Sequence, residues 1–350
     1  MSLPQFKLLR PRTVEEALSL LAKHRDRVAG DRVVAGDSPA QNAENHASPH
    51  KIRIVAGGTD LIPSMRQKLF EPEYVLDIRR IAELNGIRQQ GSGVEIGALT
   101  SLTTIEHSDL LRRRYPVLTE AAATVASPLL RNMGTLGGNI CLDTRCLWYN
   151  QSLIWRKGCG FCIKKDGDLC HVAPGGSKCW AAFSADTPPA LLCLNAELEI
   201  ASASGLRRLP LRDFYTGDGV AYRKLQPNEL VTRVFLPESS AGYHGVYRKL
   251  RVRGSIDYPL AGVAVVMRRS NGHITDAHLA ITAVNPAPVL VKGISDLLAG
   301  KIVDEELAQA AGDLAAKTAK PLTTSALTPE YRREMIRVFA KRAVLAAANQ

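Results

Sequence analysis

Six of the seven cysteines in this chain of 350 residues lie in one segment, residues 141–179. The segment is polar, contains five glycines and shows little apolar periodicity. A set of buried small hydrophobic side chains is therefore a poor explanation for these thiols. In a reducing compartment, cysteines clustered at uneven spacings are typical of metal or redox chemistry more than of disulfides. We therefore expect a loop organised around bound metal.

Four thiolates fit either a structural zinc site or an iron–sulfur cluster. Zinc sites usually pair their ligands in C-x₂₋₄-C units; Cys159 and Cys162 form the tightest such pair, and Cys141 and Cys146 are separated by four residues. The other gaps are long, which favours a cluster wrapped by one loop and leaves zinc as the alternative. Cys193 lies in the apolar stretch "ALLCLNAELEI", and we expect it in the core.

Charge and hydropathy exclude some classes of function. No apolar run approaches the roughly 18 residues that span a bilayer, and the N-terminal "MSLPQFKLLRPRTVEEALSLL" carries no export pattern. We expect a cytoplasmic protein without a membrane partner. The net charge of +11 predicts an acidic partner or an anionic cofactor, or only a solvated surface. Aromatic residues are only 5% and no nucleic-acid module is recognisable, so nucleic acid is not an expected partner.

Helix and strand patterns alternate outside the cysteine segment, which predicts an α+β protein of two or three domains. A capping box, "TVEE" from Thr13, begins a helix. Residues 26–51 are polar and read as a surface loop. From about Tyr243 an antiparallel pair with a turn at Asn271-Gly272 precedes three helical stretches. These stretches predict a smaller C-terminal domain.

Two glycine-rich segments are candidates for binding an anion. "IVAGGTDL" (residues 54–61) ends a strand in two glycines, and a helix follows with Thr59 or Asp60 as its predicted cap. "NMGTLGGNI" (residues 132–140) is the second. Backbone amides and close approach at glycine suit phosphate, so the pair can hold one pyrophosphate, although either can also be a turn without a ligand. The sequence contains no Ser-His-Asp pattern, H-E-x-x-H motif or paired carboxylates, so redox work is expected to rest on bound cofactors.

Four stretches resemble a known family. "IVAGGTDL", "TLGGN", "SADTPPALLCLNAELEI" and "YRKLRVRGSIDYPLAGVAV" are similar to those of the FAD-binding medium subunits of the molybdenum hydroxylases, the xanthine oxidase and carbon monoxide dehydrogenase group. The resemblance covers nearly the whole chain. It implies a FAD-binding domain of two α+β subdomains over residues 1–238, with a cysteine-rich loop inserted at about 141–181. It also implies a C-terminal α+β domain, with an antiparallel sheet and helices, over residues 239–350.

The resemblance also implies which residues contact FAD. Both glycine segments would wrap the pyrophosphate, Asp186 would accept from ribose or ribityl hydroxyls, and Lys249 would lie near the flavin ring, with Leu230 or Val231 packed on it. The implied FAD residues are Ile54, Val55, Ala56, Gly57, Gly58, Thr59, Asp60, Leu61, Val125, Thr135, Leu136, Gly137, Gly138, Asn139, Asp186, Leu230 and Lys249.

Most family members run almost directly from "GGN" to the Ser-x-Asp stretch, whereas this chain inserts about forty residues. The insertion resembles that of the β subunits of 4-hydroxybenzoyl-CoA reductases, which hold an additional 4Fe-4S cluster. The implied ligands are Cys146, Cys162, Cys170 and Cys179, with gaps of 16, 8 and 9 positions. Cys159 competes with Cys162 in this assignment, and Cys141 is left without a role.

The resemblance implies an electron-transfer subunit. Electrons from reduced ferredoxin would enter at the 4Fe-4S cluster and pass to FAD, then to 2Fe-2S clusters on a small subunit and a molybdopterin cofactor on a large subunit. The assembly would be a dimer of heterotrimers that reductively dehydroxylates 4-hydroxybenzoyl-CoA to benzoyl-CoA. Two alternatives remain: a subunit of an aldehyde or aromatic hydroxylase, and a zinc-stapled binding protein without redox function.

Overall fold

The computed structural model describes residues 2–24 and 51–350. The surface loop predicted for residues 26–51 falls, apart from its last residue, outside the described residues. Within the described part of the chain, no helix combines the length and apolar character that crossing a bilayer requires.

The first subdomain is a small parallel sheet in the order β1-β3-β2, covered by one helix. One half of the predicted capping box is present at its start, since the Thr13 hydroxyl accepts from the Glu16 amide at 3.1 Å, while the Glu16 carboxylate accepts from the Arg12 amide at 2.8 Å. Leu18 and Leu21 on the buried face of that helix share a core with Leu76 of the sheet. Its elements are β1 (Lys7–Leu9), α1 (Val14–His24), β2 (Ile52–Val55), α2 (Leu61–Arg66) and β3 (Tyr74–Asp77).

The second subdomain is an antiparallel sheet in the order β4-β5-β8-β6-β7 with short helices. The helix from Thr187 and the strand from Glu197 follow the texture predicted for "PPALLCLNAELEIAS". Cys193 is fully buried in this core, as predicted. The elements are β4 (Ile87–Gln90), β5 (Gly93–Gly97), α3 (Leu102–Glu106), α4 (Asp109–Arg114), α5 (Pro116–Ala123), α6 (Pro128–Met133), α7 (Leu136–Ile140), α8 (Leu153–Gly158), α9 (Thr187–Cys193), β6 (Glu197–Ser202), β7 (Gly205–Pro210) and β8 (Leu230–Leu236).

The C-terminal part is an antiparallel sheet in the order β12-β11-β10-β9, followed by three helices. The predicted hairpin is confirmed, and Asn271 (φ 51°) and Gly272 (φ 81°) occupy its left-handed turn positions. The elements are β9 (His244–Leu250), β10 (Ala261–Ser270), β11 (His273–Thr282), β12 (Val289–Leu290), α10 (Ile294–Leu298), α11 (Glu305–Thr318) and α12 (Pro329–Ala348).

Both faces of the C-terminal sheet are buried, because successive residues of a strand point to opposite sides. Val263 and Val265 of β10 share a core with the residues of α11 and α12. Ala264 and Val266 belong instead to the core of the second subdomain, whose helices α5 and α9 contact this sheet. The C-terminal part is thus packed firmly against the second subdomain, and the predicted α+β class with a cysteine-rich insertion is confirmed.

Candidate cofactor sites

A cavity of about 1230 Å³ lies where the first subdomain, the second subdomain and the loop before β10 meet. Ligand pockets for drug-sized molecules are typically about 300–1,000 Å³, so this space suits a ligand of dinucleotide size. All eight residues of the segment 54–61 line the cavity. Seven further residues that the resemblance implied also line this cavity: Val125, Thr135, Gly137, Gly138, Asn139, Asp186 and Leu230.

The two glycine segments touch each other at Gly57. A Cβ atom built at Gly57 would lie 1.9 Å from the carbonyl oxygen of Met133, at the end of α6. Gly137 also lies close to the backbone of Ala98, since a Cβ there would lie 2.9 Å from its oxygen. Glycine at these positions is therefore required by packing as well as by any ligand.

The backbone amides of Gly57, Gly58 and Thr59 donate to no acceptor within the described residues. Free amides at a strand-to-helix turn are suited to phosphate. In the second segment the Gly138 amide is already taken by the Thr135 hydroxyl at 3.1 Å. The first segment is therefore the one with amides available to a pyrophosphate.

Asn139 is held in place by the start of α9. Its side-chain oxygen accepts from the amide and the hydroxyl of Thr187, at 3.1 and 2.6 Å. Because the side-chain oxygen is occupied, the NH₂ group is the polar group that Asn139 can still offer to a ligand in the cavity.

Asp186 is a buried carboxylate on the cavity wall. It accepts from the Tyr247 hydroxyl at 2.8 Å and from the Lys249 ammonium at 3.2 Å. Burial raises the pKa of Asp186 above its ordinary value, and the charge of Lys249 opposes that rise without cancelling it. Lys249 pairs with Asp186 and Asp257 but does not itself line the cavity. Leu136 is buried in the core.

Asp60, one of the two predicted caps, occupies the position before α2, but its carboxylate makes no bond to the amides of that helix. It accepts instead from Arg145 at 2.5 Å and from the Tyr258 hydroxyl at 2.9 Å. Arg145 belongs to the insertion and Tyr258 to the loop before β10. The physical reason for the difference is that a guanidinium and a phenol offer stronger, directed donors than a short helix start.

The sequence reasoning did not identify a charged wall between the glycine segments and the insertion. Arg53, Asp143, Lys164 and Arg223 line the cavity there. Burial would raise the pKa of Asp143, but Lys164 outweighs it with help from Arg53 and Arg145, so the pKa lies below its ordinary value. Asp143 and Lys164 lie in "CLDTRC" and "FCIKKDG", the stretches that mark the insertion, so a signal for them was present.

The four predicted cluster ligands are brought together. Cys146, Cys162, Cys170 and Cys179 are all buried and line one small cavity. Burial raises the pKa of Cys146 to about 11 and that of Cys179 to about 12, and the neighbouring thiols add to both effects. Such thiols become thiolates only when a cation compensates the charge.

The remaining cysteines lie elsewhere. Cys159 follows α8, is partly exposed and does not line the small cavity. Cys141 lines the larger cavity. Cys193 donates to the carbonyl oxygen of Ala264 at 3.5 Å in the core.

Backbone packing shapes the small cavity around Cys179. The Ala181 amide donates to its sulfur at 3.4 Å. A Cβ at Gly219 would lie 2.7 Å from the same sulfur, so only glycine fits. His171 stacks on Trp148 in the wall of this cavity, with the ring centroids 4.4 Å apart.

No group of three or more His, Cys, Asp or Glu side chains within residues 2–24 and 51–350 is arranged to hold a single metal ion. A cubane cluster presents four separate irons, each taking one thiolate. Four thiols around a common space therefore fit a cluster in their donor chemistry and number.

The two cavities share a wall. Cys146, Tyr149 and Lys164 line both of them. A group held by the four cysteines and a group held by the glycine segments would thus be neighbours.

Fold and site together define a FAD-binding subunit of an oxidoreductase. The protein-family model of the FAD binding domain in molybdopterin dehydrogenase matches residues 4–239. The family model of the CO dehydrogenase flavoprotein C-terminal domain matches residues 245–347. The chain belongs to this family, as the sequence predicted. It is the FAD subunit of a molybdenum hydroxylase or dehydrogenase complex.

Known proteins of this family are similar along nearly their whole length. The carbon monoxide dehydrogenase medium chain of Hydrogenophaga pseudoflava is 29% identical over 98% of this chain and 97% of its own. The glyceraldehyde dehydrogenase medium chain of Sulfolobus acidocaldarius is 29% identical over 83% and 89%. The solved reconstituted CO dehydrogenase from Oligotropha carboxidovorans superimposes with a TM-score of 0.77 at 27% identity, covering 100% of this chain and 99% of that one.

Proposed function

We propose that this chain is the subunit of a 4-hydroxybenzoyl-CoA reductase that carries FAD and a 4Fe-4S cluster and passes electrons between them. The observation that carries the proposal is the pair of adjoining cavities. One is lined by the glycine segments and the other by four buried thiols, and Lys164 belongs to the wall of both.

The residues of the larger cavity fit FAD. The amides of Gly57, Gly58 and Thr59 would take the pyrophosphate. The buried carboxylate of Asp186, fixed by Tyr247 and Lys249, would accept from ribityl or ribose hydroxyls. FAD supplies one- or two-electron exchange when bound, whereas an iron–sulfur cluster exchanges single electrons.

The residues of the smaller cavity fit a 4Fe-4S cluster. Cys146, Cys162, Cys170 and Cys179 would each ligate one iron, and the Ala181 amide already bonds one of the sulfurs. The surrounding apolar and aromatic side chains keep solvent from the thiolates, which lowers the dielectric and makes neighbouring charges effective.

Partners follow from the family. The relatives named above are medium chains, so we propose a large molybdopterin subunit and a small 2Fe-2S subunit as partners, in a dimer of heterotrimers. Reduced ferredoxin would supply electrons at the 4Fe-4S cluster, and the basic net charge of +11 suits an acidic carrier. The complex would act in the cytoplasm.

A second candidate is a subunit of an aldehyde or aromatic hydroxylase, with electrons running outward from the molybdenum centre. It is favoured by the similarity to a glyceraldehyde dehydrogenase medium chain. The substrate is bound by the large subunit, so this chain alone does not separate the two.

Turnover assays on the assembled complex distinguish the reductase from the hydroxylase. We expect benzoyl-CoA to form from 4-hydroxybenzoyl-CoA with reduced ferredoxin as donor. Oxidation of aldehydes with no dehydroxylation would establish the second candidate instead.

A further inference from the structure

The ammonium group of Lys164 lies buried between the two cavities. Only 5% of its side chain is exposed, and it lines both cavities. Its Nζ donates to Asp143 at 2.9 Å, to the Thr144 hydroxyl at 2.7 Å and to the Gly219 carbonyl at 2.6 Å. All three protons are thus directed by protein acceptors, so the charge is fixed in position.

The local balance of charge is positive. Arg53 and Arg145 lie close enough to Asp143 to stabilise its carboxylate alongside Lys164. Arg145 is also paired with Asp60 at 2.5 Å, whereas the Nε of Arg53 has no hydrogen-bond partner within the described residues. One buried carboxylate is therefore shared by several cations, and Lys164 is the cation that also borders the thiols.

The positive charge of Lys164 would affect the reduction of a cluster held in the adjoining cavity. A cluster with four thiolates becomes more negative by one charge when it gains an electron. A fixed cation in a poorly solvated wall stabilises the more negative form, and it does so more strongly than a surface charge would.

We propose that Lys164 is a positioning residue that raises the reduction potential of the cluster held by Cys146, Cys162, Cys170 and Cys179. This inference rests on the proposed function, since it requires that cluster. The step concerned is the transfer of one electron from a reduced iron–sulfur carrier protein to the cluster. The carrier is oxidised by one electron, and the cluster is reduced by one.

The next residue provides a matched control. Lys165 is in the same loop, but it lines neither cavity, and 22% of its side chain is exposed beside Asp166. Solvent screens such a charge. Replacing Lys165 therefore removes the same formal charge without removing a buried one.

The test is a mediated redox titration of the assembled complex, followed by the electron paramagnetic resonance signal of the reduced 4Fe-4S cluster, with iron and FAD content measured on each sample. We expect Lys164→Met to shift the equilibrium at least tenfold toward the oxidised cluster, which is about 59 mV for a one-electron couple. Lys164→Arg and Lys165→Met should stay within threefold of the parent. Asp143→Asn should shift the equilibrium in the opposite direction.

Each outcome has one meaning. A fully iron-loaded Lys164→Met complex with an unchanged midpoint overturns the inference. If Lys164→Met loses its iron, Asp143→Asn decides, and an unchanged midpoint there overturns the inference as well. If the parent complex shows no 4Fe-4S cluster at all, the proposed function fails instead, and the two failures are thereby distinguished.

Discussion

The guanidinium of Arg145 stacks 3.9 Å over the ring of Tyr258, and both side chains hydrogen-bond the carboxylate of Asp60. This contact joins the insertion, the first glycine segment and the loop before β10 in the wall of the larger cavity, which is proposed to bind FAD. Three parts of the chain that are distant in sequence are thus tied at one carboxylate beside the segment proposed to bind pyrophosphate.

Replacing Arg145 should weaken the binding of FAD. Arg145→Met deletes a charge-assisted bond worth about 1.5–3 kcal/mol and leaves Asp60 free to move the glycine segment. We expect FAD to dissociate about ten- to a hundredfold more readily, measured as the fluorescence of released flavin at equilibrium. Tyr258→Phe keeps the stacked ring and should have a smaller effect. Unchanged flavin affinity in Arg145→Met would show that this contact does not support the site.

Gly219 should be essential for the cluster but not for the flavin. Gly219→Ala places a Cβ 2.7 Å from the Cys179 sulfur, and such an overlap forces the sulfur out of position. We expect the variant to lose most of its cluster iron while it keeps FAD, measured by iron and flavin analysis of the purified complex. Gly175 is the control, because a Cβ there meets no atom within 4 Å among the described residues. Full iron content in Gly219→Ala would contradict the placement of Cys179.

Serine substitutions separate ligands from bystanders among the cysteines. Cys146→Ser, Cys162→Ser, Cys170→Ser and Cys179→Ser should each lower cluster iron while FAD remains. Cys159→Ser should leave iron nearly unchanged, because Cys159 does not line the small cavity. Iron loss in Cys159→Ser equal to that in the other four would mean that the ligand set is wrong.

Asp77 should stabilise the first subdomain in a pH-dependent way. The side-chain bonds from Arg79, at 2.7 and 2.8 Å, hold the pKa of this nearly buried carboxyl below its ordinary value. A lowered folded-state pKa gives stability that is present above the unfolded value, near 3.9, and is lost as the pH falls through the folded value.

Asp77→Asn should therefore lower the free energy of unfolding at pH 7 by about 1–3 kcal/mol, and the difference should shrink as the pH falls below the unfolded value. Chemical denaturation at several pH values measures this. Asp109→Asn is the control, since its carboxylate is 76% exposed and pairs with Arg112 only at the surface. A deficit in Asp77→Asn that is the same at pH 7 and pH 3 would contradict the assignment to a charge.

The sequence predicts those parts of the site that depend on local requirements. Gly57 was recognisable because glycines at the end of a predicted strand permit close approach of a phosphate, while its close contact with the Met133 carbonyl is seen only in the structure. The thiols of the insertion were recognisable as a group, because a polar segment gives them little packing role, whereas the choice of Cys146, Cys162, Cys170 and Cys179 among them came from the resemblance. Glycine and cysteine are thus residue types whose own chemistry indicates a role.

Contacts between distant segments could not be predicted in this way. Asp60 suits a helix cap by its position, yet partners 85 and 198 positions away outcompete the local amides. The place of Lys249 near the flavin ring stays a prediction, but its ion pairs with two carboxylates, Asp186 and Asp257, were not foreseen. The stretches "CLDTRC" and "FCIKKDG" mark Asp143 and Lys164, but no local pattern shows that they join Arg53 of β2 in one charged wall.

The most direct test of the account is an elemental and flavin analysis of the purified chain. The account predicts a yellow-brown protein with one FAD, roughly four irons and four acid-labile sulfides per chain, and no stoichiometric zinc. A colourless protein with stoichiometric zinc and no iron would contradict it.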